Sequence, residues 1–216
     1  LVHGGDAIEL VVVGNSFDEA AEAARADAIA RGATVVEPFD ARATMVGQGT
    51  VAAEILSQLT GLGRELGSVA VPVGGGGLLA GVASYLADMS PLTSIIAVEP
   101  KGAASLHAAL AQGEPVTLES IDPFVDGAAV KRIGALPFQV IDANLSRIHM
   151  VIADEGAVCT EMLSLYQNEG IIAEPAGALS VAGLNGVNLE PGSTVVCVIS
   201  GGNNDVLRYA EIMERS

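Results

Sequence analysis

The stretch Val71-Pro72-Val73-Gly74-Gly75-Gly76-Gly77-Leu78-Leu79-Ala80-Gly81-Val82-Ala83-Ser84-Tyr85-Leu86-Ala87 joins a β-like apolar run to a helix-like one through four consecutive glycines. Glycine loses more backbone freedom on folding than any other residue, so four in a row need a compensating use. Two uses fit. One is a tight structural turn; the other is close approach of a ligand to bare N–H groups at a helix start, where the dipole favours an anion. The loop lacks the lysine and hydroxyl of Gly-x-x-x-x-Gly-Lys-Ser/Thr, and it meets Gly-x-Gly-x-x-Gly only at Gly74 and Gly76, with Leu79 in third place. No Lys or Arg lies between Glu65 and Lys101, so a phosphate here would rest on backbone donors and hydroxyls alone. Both uses stay open on spacing.

Outward from this stretch, strand and helix patterns alternate. Strands are expected at Ile8 to Val13, Thr34 to Glu37, Ser68 to Val73, Ser94 to Val98, Arg147 to Val151 and Thr194 to Ile199. Between them, Ser16 and Glu19 read as a capping box opening an Ala-rich helix that stops at Gly32. Further helices are expected at Val51 to Leu59, Leu78 to Ala87, Ala103 to Ala111 and Ala157 to Gly170, then after Glu174 and from Asp205 to Glu214. Residues between about Gly113 and Gly134 look irregular. Repeated β–α units predict an α/β fold, a doubly wound parallel sheet with helices on both faces. In such sheets ligands bind at the carboxyl ends of strands. Val73 into the glycines, Val98 into Glu99-Pro100, and Ile199 into Ser200-Gly201-Gly202-Asn203 should therefore share one edge.

Half the chain is apolar but only 3 % is aromatic, which suits a core of Ala, Val, Ile and Leu around buried parallel strands. The formal charge of −16 argues against nucleic acid and anionic membrane partners. Leu66 to Ala87 carries no charge, yet Pro72 and the glycines break it, so it reads as strand–turn–helix and not as a membrane span. Cys159 and Cys197 sit in apolar segments without metal spacing and read as small buried hydrophobes in a reducing compartment, with a cytoplasmic location expected.

Six motifs stand in order: Gly47-Gln48-Gly49-Thr50, the glycine stretch, Val98-Glu99-Pro100, Asp126-Gly127-Ala128-Ala129-Val130-Lys131-Arg132, Glu174-Pro175-Ala176-Gly177-Ala178 and Ser200-Gly201-Gly202-Asn203. Together they resemble the threonine/serine dehydratases, fold-type II (tryptophan synthase β-like) pyridoxal-phosphate enzymes. The resemblance covers essentially all 216 residues. It implies that Gly74, Gly75, Gly76, Gly77 and Leu78 hold the phosphate of pyridoxal 5'-phosphate, that Ser200 bonds the pyridine nitrogen, and that Gly127 and Glu174 lie close to the cofactor. Taken alone, Ser200 is a polar residue in a turn after a strand, and Glu174 is a first-turn acid. Glu99 and the Ala103 carbonyl resemble a cation site of serine racemase-like relatives, although Ser105 stands where those have a third, acidic ligand.

The resemblance further implies deamination of L-threonine and L-serine by β-elimination of water, a small amino-acid substrate, and a homo-oligomer. Alternatives are serine racemase or 3-hydroxyaspartate lyase chemistry on the same scaffold, or a non-catalytic phosphate-binding module. The family's Schiff-base lysine, in a Ser-x-Lys-x-Arg-Gly type motif, has no counterpart: Lys101 and Lys131 lie in other contexts. The expectation is a piece of a longer enzyme, inactive alone, with residues 1–38 the remainder of a small domain and 39–216 most of the large, cofactor-binding one.

Overall fold

The computed structural model describes residues 7–14 and 17–216. Ser16, the first half of the expected capping box, lies outside them. Two compact units are present, Leu1–Glu37 and Pro38–Ser216.

In the first unit, α1 (Phe17–Arg31) is an Ala- and Glu-rich helix followed by Gly32 at φ 65°. Arg31 pairs with Asp27 one turn back and with Glu9, and Arg25 pairs with Glu37. The two strands expected here do not form. Ile8 to Val13 and Thr34 to Glu37 join no sheet, and Val12 and Val36 are each 85 % exposed. Alternating apolar residues make a strand only against a partner edge that takes up their N–H and C=O groups. The described residues of this unit supply none.

The second unit holds a four-stranded, fully parallel sheet of β1 (Ser68–Pro72), β2 (Ser94–Pro100), β3 (Ile148–Ala153) and β4 (Val195–Cys197), in the order β3-β2-β1-β4. Side chains alternate across it. Val69, Val71, Ile95 and Ala97 join one core with helices α2 (Arg42–Gly61), α3 (Gly77–Met89), α4 (Ser105–Gln112) and α5 (Ala135–Asp142). Ala70, Ile96 and Val98 join a second core with α6 (Glu155–Ser164), α7 (Pro175–Ala182) and α8 (Tyr209–Arg215). These strand residues are essentially inaccessible on both faces, and each Val or Ile so buried contributes about 1.5–3 kcal/mol. The doubly wound α/β expectation holds.

Three local differences have physical causes. Helix α2 starts nine residues before the expected Val51, at Arg42, and Gly49 within it serves packing: a Cβ there would sit 3.1 Å from the Gly81 carbonyl oxygen of α3. The unexpected helix α5 begins directly after the irregular stretch. Its first N–H groups, on Ala135 and Leu136, donate to the carboxylate of Asp40 at 3.0 and 2.9 Å, a cap that no local pattern contains. Pro137 then falls in the first turn, where a missing N–H costs nothing. Finally, α6 runs on into a π-helical turn, Leu165–Glu169, that ends at Gly170.

Among the described residues no helix is long and apolar enough to cross a membrane.

Candidate cofactor site at the carboxyl edge of the sheet

β1 ends at Pro72, and Val73 still donates to Val98 of the neighbouring strand, so the chain leaves the sheet at Gly74. Gly76 turns it with φ 87°, a left-handed conformation that only glycine adopts cheaply, and α3 begins at Gly77. The glycines also admit side chains. The ring of Phe39 lies where a Cβ on Gly75 would stand, a Cβ on Gly77 would come within 2.9 Å of Phe39 Cβ, and a Cβ on Gly74 would come within 2.9 Å of Ala128 Cα. The structural-turn use is thus real. The ligand use survives beside it: none of the N–H groups from Gly74 to Leu78 donates a hydrogen bond within the described residues. Unpaired donors at the positive end of a helix are what an anion requires.

The Asp126-Gly127-Ala128 turn joins this loop to the second strand end. Gly127 packs so closely on α7 that a Cβ there would lie 2.9 Å from Ala176 Cβ and 3.1 Å from Glu174 Oε1. Glu174 makes no side-chain cap to its own helix. Its carboxylate instead lies against Gly201, where a Cβ would collide with it, while its N–H donates to the Gly201 carbonyl at 3.1 Å. Partial burial pushes the Glu174 carboxyl above its ordinary range, the negative charge of Asp126 adds to this, and the Asn203 N–H opposes it. Ser200, exposed at the end of the β4 segment, donates Oγ–H to the Ala176 carbonyl at 3.3 Å.

Gly74, Gly127, Glu174 and the Ser200–Gly201 turn are therefore linked by direct packing although they come from four separated segments. Ala128, from the Asp126–Arg132 motif, completes the constellation with Phe39 and Asp40, which no sequence motif contained. The one signal was the Pro38-Phe39-Asp40 triplet before a helix, and its targets are distant in the chain.

Glu99 lies one strand away and is fully buried. Its two oxygens accept the N–H groups of Leu106 and His107 at 2.7 and 2.8 Å, which makes it the cap of α4. Burial carries its carboxyl up to about 7, against the pull of those two donors. Ala103 is buried in the preceding 3-10 turn, and the Ser105 hydroxyl is buried without a partner. Among the described residues no three His, Cys, Asp or Glu side chains gather into a metal-holding group. The cap accounts for Glu99 without a cation.

Known proteins share this arrangement. The chain is 68 % identical over all 216 residues to the biosynthetic L-threonine dehydratase IlvA of Corynebacterium glutamicum, covering 50 % of that protein. It is 58 % identical over 214 residues to the protein of the same name from Mycobacterium tuberculosis, covering 49 % of it. The processed form of threonine deaminase isoform 2 from Solanum lycopersicum superposes with a TM-score of 0.84 at 33 % identity, over 95 % of this chain and 59 % of that one. The chain thus spans about half the length of the curated relatives it matches. The sequence pattern described as "Pyridoxal-phosphate dependent enzyme" extends over residues 3–201, through the glycine loop and both later strand ends. With that match over most of its length, the chain belongs to the family of pyridoxal-phosphate-dependent enzymes.

Proposed function

We propose that this chain is the cofactor-cradling part of an enzyme that deaminates L-threonine, and L-serine, to 2-oxobutanoate or pyruvate and ammonia by elimination of the β-hydroxyl. The observation that carries the reading is the 68 % identity, across every residue, to a protein named biosynthetic L-threonine dehydratase. A role in isoleucine biosynthesis, a cytoplasmic location and a homo-oligomeric assembly belong to the same reading.

Bound here, pyridoxal phosphate supplies the electron sink that lets an amino acid lose its α-proton and β-hydroxyl. The unpaired N–H groups of Gly74 to Leu78 hold the phosphate, helped by the positive end of α3, with no Lys or Arg in the loop. Ser200 offers the pyridine nitrogen a hydroxyl and not a carboxylate. To hold that nitrogen, the Ser200 hydroxyl would turn from the Ala176 carbonyl, which it meets at 3.3 Å, and would present a neutral partner. Gly127 would lie near the cofactor ring by its backbone, with Glu174 and Ala176 packed where a side chain would stand. Glu174 keeps a proton more readily than an ordinary carboxylic acid, at Oε1 or Oε2 beside Gly127 and Gly201.

The test uses the full-length protein. Its visible absorption is recorded before and after L-threonine is added, with 2-oxo acid followed in the same cuvette. A cofactor band that responds to threonine while 2-oxobutanoate accumulates supports the proposal. A band that responds only to serine, with D-serine appearing, refutes it in favour of racemisation.

A further inference from the structure

We infer that Arg208 is a positioning residue for the cofactor cradle: its guanidinium fixes the Phe124–Ala128 turn and so sets the spacing between Gly74 and Glu174. The inference rests on the cofactor-binding reading above and deepens it.

Arg208 closes a short 3-10 turn, Val206–Arg208, just before α8. Its Nη2 donates to the Phe124 carbonyl at 2.8 Å and its Nη1 to Asp126 Oδ2 at 3.4 Å. The guanidinium also lies over the buried Phe124 ring, 4.9 Å from its centre, and Arg215 lies over the same ring at 4.2 Å. One side chain therefore grips the turn at its first residue by carbonyl and ring, and at its third by carboxylate. Asp126 passes the restraint on, since its Oδ1 accepts the Gly127 N–H at 3.0 Å.

The turn is a spacer. Ala128 stands where a Cβ on Gly74 would fall, and Gly127 stands against Glu174 and Ala176. A displacement of about 1 Å is enough to spoil a preorganised site. Arginine suits the task because its planar fork holds two donors in fixed directions, whereas the three donors of an ammonium sit on a flexible stem around one point charge.

The experiment compares full-length holoenzymes carrying R208M, R208K and the core control I212V. Cofactor dissociation is followed by the visible band, and melting temperature is measured on the same samples. R208M is expected to raise the pyridoxal-phosphate dissociation constant about tenfold or more, since a charge-assisted bond is lost and a carbonyl is left unpaired. R208K should fall between R208M and wild type, and it carries the test if R208M does not fold. I212V should melt lower at wild-type cofactor affinity, because it leaves the turn alone. Wild-type affinity in R208M and R208K, at whatever melting temperature, overturns the inference. A wild type that keeps the cofactor yet releases no oxo acid from threonine defeats the substrate reading, and the affinity comparison still decides this one.

Discussion

Substituting Gly81 by alanine tests a close backbone contact between two helices. Gly81 lies in α3 against α2, and a Cβ there would overlap the Met45 carbonyl oxygen, stand 2.6 Å from Gly49 N and 2.9 Å from the Gln48 carbonyl carbon. Ordinary Cβ contacts begin near 3.4 Å. The helices must therefore separate by about 0.8 Å at Gly49 alone, and all three atoms are backbone, which cannot rotate away. Helix propensity acts in the opposite direction, since alanine in place of glycine favours a helix by about 1 kcal/mol. Overpacking costs about 1–3 kcal/mol, more where backbone must move. The net expectation is a destabilisation of about 2 kcal/mol, or a melting temperature lower by roughly 4–8 °C in a protein of this size. Gly61 is the control: it closes the same helix α2, and a Cβ there meets nothing within 4 Å. G61A should be neutral or stabilising by up to about 1 kcal/mol. Thermal and urea melts of the two variants decide the matter. If G81A melts within 1 °C of wild type, the helices are not held apart by backbone alone and the reasoning fails.

Four further outcomes are expected. The folded Glu99 carboxyl, raised from 4.5 to about 7, binds a proton over a window in which the unfolded chain has released it. Its contribution to stability is therefore greatest below about pH 4.5 and declines as pH rises through 7, and E99Q should remove that decline in urea melts taken at pH 5 and 8. D126N removes the charge that helps raise Glu174, so any acid limb that Glu174 imposes on threonine turnover should move to lower pH in a pH–rate profile; an upward move refutes the coupling. S200A should weaken cofactor retention about three- to tenfold, as loss of one neutral hydrogen bond would, with the fold unchanged by circular dichroism. G74A, whose Cβ would press on the Ala128 backbone, should lose cofactor by more than tenfold, read by equilibrium dialysis against pyridoxal phosphate.

What lay in the sequence was whatever local chemistry decides. Apolar runs such as Val69–Val73 and Ile95–Val98 fold as strands because burial on both faces demands unbroken hydrophobicity. The glycine run announced the turn at Gly76, and parallel topology alone required the Gly74, Glu99 and Ser200 strand ends to share an edge. The strand patterns at Ile8–Val13 and Thr34–Glu37 were equally plain, yet they join no sheet, because a strand is a property of hydrogen bonds between two segments and not of one segment's composition. Only the tertiary structure decided that Phe39 fills the space beside Gly75 and Gly77, that Asp40 starts α5, that Glu99 caps α4 and that Arg208 grips the Asp126 turn. Those assignments join residues far apart in the chain. Sequence spacing constrains only neighbours, and contacts across the fold depend on how the sheet and its two helical layers bring distant segments within a few ångströms.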